Sequence, residues 1–96
     1  MIRLASSIHL KAETDGGALV IDDETLTAAR INKSAYILFL ALGRPHTLAD
    51  LVSIFAETAR CPVSEAFTSV AKLVDEAARL GWLEVQEESV RTGLPR

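Results

Sequence analysis

Hydrophobic and polar residues alternate along the first third of the chain, and this alternation predicts β-strands. The segment Ile8–Glu13 changes from apolar to polar at every residue, which is the period of a strand with one buried face. The Asp15-Gly16 pair that follows tolerates the positive φ of a tight hairpin turn. Two further strands are predicted, over 18–21 and over Leu26–Ile31. The pattern therefore indicates an antiparallel β-meander of three strands.

After Ile31 the spacing of the apolar residues becomes that of α-helices. A first helix is predicted over Lys33–Leu42, and its nearly uniform apolar composition indicates a central position. Capping and stop signals predict a second helix over 47–60, a third over 62–80, and then a short strand over Trp82–Val85. These elements define an α+β fold, a winged helix-turn-helix with an N-terminal three-stranded antiparallel β-meander followed by three helices.

The composition is that of one small globular domain. The chain has 96 residues, of which 49% are hydrophobic and 24% charged, so it is too apolar for a disordered chain and too short for several domains. We expect the folded domain to cover 1–85 and the polar segment 86–96 to be a flexible tail. The longest apolar run, Ala35–Leu42, is far shorter than the roughly 20 residues that span a bilayer, and no signal-peptide pattern is present. A cytoplasmic protein without a membrane partner is predicted.

The sequence offers few groups for catalysis or metal binding. Cys61 is the only cysteine, and His9 and His46 are the only histidines, so no intrachain disulfide, metal site or cofactor is predicted. Cys61 lies beside Pro62 in a predicted turn, distant in sequence from both histidines, which favours a half-buried structural cysteine over a nucleophile. The acidic run 22–24 is better explained as a solvated turn than as a cation site. We therefore predict no catalytic residue and no enzyme activity.

The charge distribution bears on DNA binding, the main alternative function for a winged helix. The formal net charge is -3, and neither sign is concentrated in a run. The predicted outward positions of the third helix carry two bases and three acids. They are Glu65, Thr68, Ser69, Lys72, Asp75, Glu76 and Arg79. Because a surface that approaches phosphate groups needs positive charge, a DNA-binding transcriptional regulator is the less favoured interpretation.

Three segments of the sequence carry a resemblance to a known family. They are Ile-Asn-Lys-Ser-Ala at 31–35, Gly43-Arg44 followed by Thr-Leu-Ala-Asp-Leu-Val at 47–52, and Val70–Leu83, which ends in Leu-Gly-Trp-Leu. The first resembles the Leu-Asn-x-Ser/Thr-Ala entry to the first helix of the PqqD family. The second is similar to that family's Gly-x-Arg-Thr-Val-x-Glu-Ile-Val segment, and the third to its last helix with a Gly-Leu-Leu ending. The resemblance covers Ala18–Glu84.

This resemblance implies a role in peptide recognition. PqqD-like domains are RiPP recognition elements, which bind the leader segment of a ribosomally synthesised precursor peptide and present the rest of it to a modifying enzyme. The implied partners are a precursor leader peptide and a peptide-modifying enzyme, such as a radical SAM enzyme, a leader peptidase or a cyclase. No nucleic acid is implied as a partner.

Two departures from the family leave the pathway open. Many relatives in lasso-peptide pathways have a Thr-Gly-x-Tyr-Tyr-x-Leu-Asn run in the third strand. This chain has Thr-Leu-Thr-Ala-Ala-Arg-Ile-Asn at 25–32, without the turn glycine or either aromatic residue. The Pro-Glu turn common in proteins of pyrroloquinoline quinone synthesis is also missing. The resemblance therefore implies leader binding without assigning a particular precursor or modification.

The predicted binding site is the free edge of the third strand. That strand ends the meander, and its small residues include no proline that would protect the edge. An extended peptide can add there as a fourth strand, with side chains in the groove between the third strand and the third helix. The predicted peptide-binding residues are Leu26, Thr27, Ala28, Ala29, Arg30, Ser69, Lys72, Leu73 and Glu76. The alternative is an edge covered by the tail or by a second copy in a homodimer, and the resemblance favours peptide binding over it.

Overall fold

The computed structural model of the chain describes residues 1–86. Within that range the elements follow one another as β1 (Ile2–Leu4), β2 (Ile8–Ala12), β3 (Ala18–Asp22), β4 (Thr27–Ile31), α1 (Lys33–Ala41), α2 (Leu48–Ala59), α3 (Val63–Arg79) and β5 (Leu83–Val85). This order confirms the predicted α+β architecture of a β-meander followed by three helices. Apart from Gln86, the predicted tail lies outside the described residues.

The meander is an antiparallel sheet with the strand order β2-β3-β4. Val20, in the middle of the sheet, pairs with Leu10 on one side and with Ala29 on the other. Ala18 and Val20 are buried, so the side chains at alternate positions of β3 face the helices. β4 begins one residue later than predicted, because Leu26 has a φ of 57° and lies in the turn that precedes the strand. The assignment of Leu26 to the strand was therefore wrong.

A second, smaller sheet was missed by the sequence analysis. β1 pairs with β5 in antiparallel fashion, with Ile2 opposite Val85. Leu4 also donates its backbone N–H to the carbonyl of Leu42 at 2.8 Å. β1 has three residues, which is too short for a two-residue period to be recognised. Its pairing ties the start of the chain to the end of the helical part.

The core lies between the meander and the three helices. Leu38 and Phe39 of α1 are fully buried together with Leu51 of α2 and Val70 of α3. Phe39 also meets Trp82 edge to face, with the ring centroids 6.2 Å apart. The predicted central helix is therefore covered on its core side, whereas Leu40 of the same helix is 56% exposed and faces away from the core.

The helix ends follow local signals in the sequence. The Asn32 side chain accepts a hydrogen bond from the backbone of Ala35 at 2.9 Å and caps α1. Thr47 and Asp50 form the expected reciprocal capping box at the start of α2. Pro62 stands at the N-cap of α3, one position before the helical residues. No helix within residues 1–86 is long and apolar enough to cross a membrane.

Asp22 holds the turn between β3 and β4. It is only 4% exposed, and its carboxylate accepts the backbone N–H of Glu24 at 2.9 Å. This hydrogen bond lowers the pKa of Asp22 below its usual 3.8, with further contributions from Ser7 and Thr25, although burial acts in the opposite direction. The ionised carboxylate therefore stabilises the turn from which β4 begins.

We predict that the turn becomes a weak point of the fold in acid. Because the pKa of Asp22 is lower in the folded state, its stabilising contribution is present above pH 3.8 and is lost as the pH falls through the folded pKa. Asp22→Asn keeps an oxygen that accepts the Glu24 N–H but has no charge, so its melting temperature should fall less between pH 5 and pH 3 (about one unit either side of the ordinary pKa). Thermal melts followed by circular dichroism measure this, and parallel pH profiles for parent and variant would contradict it.

Candidate functional site

β4 forms one edge of the meander, and the hydrogen bonds between β2 and β3 show which β4 backbone groups are left unbonded within residues 1–86. Asp23 donates its N–H to the carbonyl of Ser7 at 3.0 Å, and Glu13 donates to the carbonyl of Gly17 at 2.9 Å. Both pairs continue the register of β2 with β3. Because directly opposed pairs in an antiparallel ladder alternate between bonded and non-bonded, the odd-numbered residues of β3 bond to β2 and the even-numbered ones to β4.

This alternation continues into β4. The partners of Ala18, Val20 and Asp22 are Ile31, Ala29 and Thr27, so the N–H and C=O groups of these three β4 residues face β3. The N–H and C=O groups of Ala28 and Arg30 therefore point to the open edge. The edge presents two donors and two acceptors at alternate residues, which is what an added strand requires.

The side chains of these two edge residues leave the edge accessible. Ala28 is opposite Ile21 and Arg30 is opposite Leu19, positions on the face of the sheet turned away from the helices. The Arg30 guanidinium lies 3.1 Å from the Glu13 carboxylate. This ion pair joins β4 to the residue that follows β2, so the Arg30 side chain extends across the outer face of the sheet, away from the open edge.

A cleft of about 260 Å³ begins at the residue after β4 and lies between the start of α1, α2 and α3. It is lined by Asn32, Ser34, Ala35, Phe55, Ser69 and Leu73. Ala35 is buried, and Phe55 and Leu73 are half-buried, so the floor is apolar. The polar lining comes from an asparagine and two serines. A cleft of this kind can hold an apolar side chain from a segment that lies along β4.

The structure brings together only part of the predicted helix residues. Ser69 and Leu73 line the cleft, and their role in peptide binding stays a prediction. Lys72 and Glu76 are exposed and lie three and seven residues after Ser69, on the same side of α3 but outside the cleft. Phe55 was missed because it belongs to the apolar stripe of α2, and its sequence position gives no indication that the stripe reaches a surface cleft.

A larger groove of about 630 Å³ lies on the other flank of α3, against the first half of α2. It is lined by Leu48, Ala49, Val52, Ser53, Val63, Ser64 and Phe67. Val63 and Phe67 are 65% and 51% exposed. We place the candidate site at the smaller cleft, because its first lining residue, Asn32, directly follows β4, whereas the larger groove has no lining residue next to a strand.

The outward face of α3 carries excess negative charge. The seven positions that the sequence analysis placed on this face are all exposed. Within α3, Arg79 is already paired with Asp75 at 3.0 Å, which leaves Lys72 against Glu65 and Glu76. A recognition helix that enters a DNA groove must approach phosphate groups, so this face is poorly suited to DNA.

The histidines and the cysteine lie in local structural contacts. His9 and Asp23 are 2.6 Å apart across the start of the meander, and the His46 ring is 3.0 Å from the carbonyl oxygen of Arg44. Cys61 is half-buried in the turn between α2 and α3. Among residues 1–86, no group of three or more His, Cys, Asp or Glu side chains is arranged to hold a metal ion.

Comparisons with known proteins identify the fold. No protein-family model matches the sequence, and no curated protein matches it. Two solved structures share the architecture. TbiB1 in complex with the TbiA(beta) leader peptide superposes with a TM-score of 0.76 at 10% identity, over 90% of this chain and 99% of that one. A lasso peptide synthetase B1 complexed with its leader peptide gives a TM-score of 0.72 at 23% identity, over 88% and 98%.

These two likenesses span nearly the whole of each chain, so they concern the complete fold and not a shared helix pair. At 10% and 23% identity they establish the fold. The fold is that of chains which have been solved with a leader peptide, and it is the architecture that the PqqD-like resemblance implied.

The hydrogen-bond pattern predicts that proline lowers the stability of the fold at one position of β4 and has little effect on stability at the next. Thr27→Pro removes an N–H that bonds to β3 and should lower the free energy of unfolding by about 1 to 3 kcal/mol. Ala28→Pro removes an N–H that faces the open edge and should leave the stability within about 1 kcal/mol of the parent. Urea unfolding followed by tryptophan fluorescence compares them. Greater destabilisation by Ala28→Pro would show that the assignment of free groups is reversed.

Proposed function

We propose that this chain binds the leader segment of a ribosomally synthesised precursor peptide by strand addition to β4. One observation carries the proposal: the N–H and C=O groups of Ala28 and Arg30 face outward from β4, and β4 leads directly into Asn32, which lines an apolar-floored cleft. The fold shared with two leader-bound chains supports it. The chain would thus be a RiPP recognition element of the PqqD-like type.

Backbone pairing would supply affinity that depends little on the leader sequence. A leader strand bonded at Ala28 and Arg30 places every second side chain on the helix face of the sheet, opposite Thr27, Ala29 and Ile31. Ala29 and Ile31 are half-buried, so the rest of the fold does not cover them completely. The leader side chains on that face are the ones directed towards α3.

The cleft would select among leader sequences by the side chain that enters it. A side chain opposite Ile31 lies next to Asn32, the first cleft residue, and can reach Phe55 and Leu73. An apolar leader residue is therefore preferred at this position, because a charged one would lose hydration against an apolar floor. Lys72 and Glu76, exposed on the same side of α3, would select for charge on leader residues that pass outside the cleft.

The chain would act by bringing its partners together. We propose that the segment after the leader is presented to a peptide-modifying enzyme, such as a radical SAM enzyme, a leader peptidase or a cyclase. The lasso peptide synthetase B1 neighbour makes an enzyme of lasso-peptide synthesis the first partner to test. We expect the chain to carry out no catalytic step itself and to be located in the cytoplasm.

Binding by strand addition predicts a strong and local effect of proline. The probe is a synthetic peptide copying the leader of the precursor whose reading frame adjoins this chain's gene, and the measurement is calorimetric titration. Ala28→Pro should weaken binding by about ten- to a hundredfold, the scale for unmet hydrogen bonds. Ala12→Pro is the matched control, because Ala12 also directs its N–H away from β3 but lies on the opposite edge of the meander.

Two results would refute this mechanism. An Ala28→Pro protein that keeps the parental melting temperature and binds the leader as the parent does would show that the peptide does not pair with β4. Equal losses of affinity in Ala28→Pro and Ala12→Pro would show that proline acts through the sheet as a whole and not through one edge.

Charge selection by α3 predicts a change in preference with little change in fold. Lys72→Glu should weaken binding of a leader peptide with an acidic residue beside the cleft by about two- to fivefold, the scale of an exposed ion pair. It should strengthen binding of a matched peptide with lysine there. Both effects should shrink in 0.5 M salt, since the Debye length is then below about 5 Å. Lys11→Glu on β2 makes the same charge change away from the cleft, and an equal effect there would contradict selection by α3.

A further inference from the structure

Leu26 combines two unfavourable features. Its φ is 57°, in the left-handed region that leucine adopts at a steric cost. Its side chain is also 87% exposed, more than any other large hydrophobic residue among those described. Asparagine, aspartate or glycine is the usual choice at such a turn position. Within residues 1–86, the Leu26 side chain is therefore left outside the core.

The turn that contains Leu26 is held by other residues. Asp22 accepts the backbone N–H of Glu24 at 2.9 Å, and the hydroxyl oxygens of Thr25 and Thr27 lie 2.7 Å apart on either side of Leu26. These polar contacts fix the turn without the Leu26 side chain. The turn that carries the leucine is therefore already ordered, so a ligand that contacts Leu26 loses little conformational entropy of the turn on binding.

Leu26 is also the residue that joins the turn to the strand with the free edge. It directly precedes β4 and stands two residues before Ala28, whose N–H and C=O face the open edge. A peptide strand advances about 3.3 Å per residue. A leader paired with Ala28 and Arg30 therefore comes level with Leu26 when it continues by two residues past Ala28, at the end of β4 opposite the cleft.

We propose that Leu26 is a second anchor for the leader and binds an apolar leader side chain just beyond the segment paired with β4. This inference rests on the proposed leader binding and adds a specificity-determining residue to it. The cleft at the end of β4 and Leu26 at its start would then hold the leader at two apolar positions about five residues apart, the length of β4. The recognised ligand is a leader with that spacing.

The test uses the opposite signs expected for stability and for binding. Leu26→Asn relieves the backbone strain, so the melting temperature should rise by about 4 °C. It removes the apolar contact, so affinity for the synthetic leader of the adjoining precursor should fall by about five- to tenfold. Leu26→Met keeps an apolar side chain. Its melting temperature should equal that of the parent, and its affinity for the leader should stay within about twofold of the parental value. A purely structural role would move stability and affinity in the same direction.

The control is Leu40→Asn, which makes the same change at a 56% exposed leucine in the last turn of α1. Its affinity should equal that of the parent. If the parent binds the leader and Leu26→Asn binds it equally well, the anchor is refuted while leader binding stands. If Leu26→Asn binds normally but supports less modification by the partner enzyme, Leu26 contacts that enzyme and the assignment to the leader is wrong. Failure of the parent to bind any leader tested would overturn both proposals.

Discussion

The pairing of β3 with both of its neighbours determines what the rest of the molecule can offer a ligand. β3 lies in the middle of the meander, with Ala18 and Val20 buried against the helices. Burial of that face prevents the register from slipping by one residue, since a slip would turn every buried side chain to solvent. The same register decides that Ala28 and Arg30, and not Thr27 or Ala29, direct their backbone groups to the open edge. A core packing interaction thus fixes the chemistry of a surface.

The helices and their caps were predictable because their signals are local. Asn32 caps α1 with a contact three residues away, and Thr47 and Asp50 cap α2 in the same way. β1 was not predictable, because its partner β5 is about 80 residues distant and neither strand is long enough to show a period. The meander lies between these two cases. The alternation of apolar and polar residues within each strand predicted the strands, but it could not show which backbone groups bond to the neighbouring strand and which face the open edge.

Within the candidate site too, local sequence signals could be predicted, whereas features that depend on contacts between distant residues could not. Ser69 and Leu73 were predicted from their face of α3, whereas Phe55 was not among the predicted site residues, because its apolar spacing on α2 is that of a buried stripe. Leu26 was placed in a strand because it is apolar, and hydrophobicity carries no information on the sign of φ. Whether a hydrophobic residue fills the core, floors a cleft or stands exposed depends on three-dimensional neighbours, which a single sequence does not specify.

The two edges of the meander are not equivalent, and the difference explains why a peptide would choose β4. On β2, the N–H of Ile8 is already bonded to the carbonyl of Ala5 at 3.1 Å, so the chain covers the start of that edge itself. On β4, the edge begins at a turn fixed by Asp22 and ends at the cleft lined by α1, α2 and α3. An added strand gains backbone hydrogen bonds at either edge, but only along β4 do its inward side chains meet that apolar cleft. A preference for β4 would therefore come from side-chain burial along that edge, together with the covering of the start of the β2 edge by the chain itself.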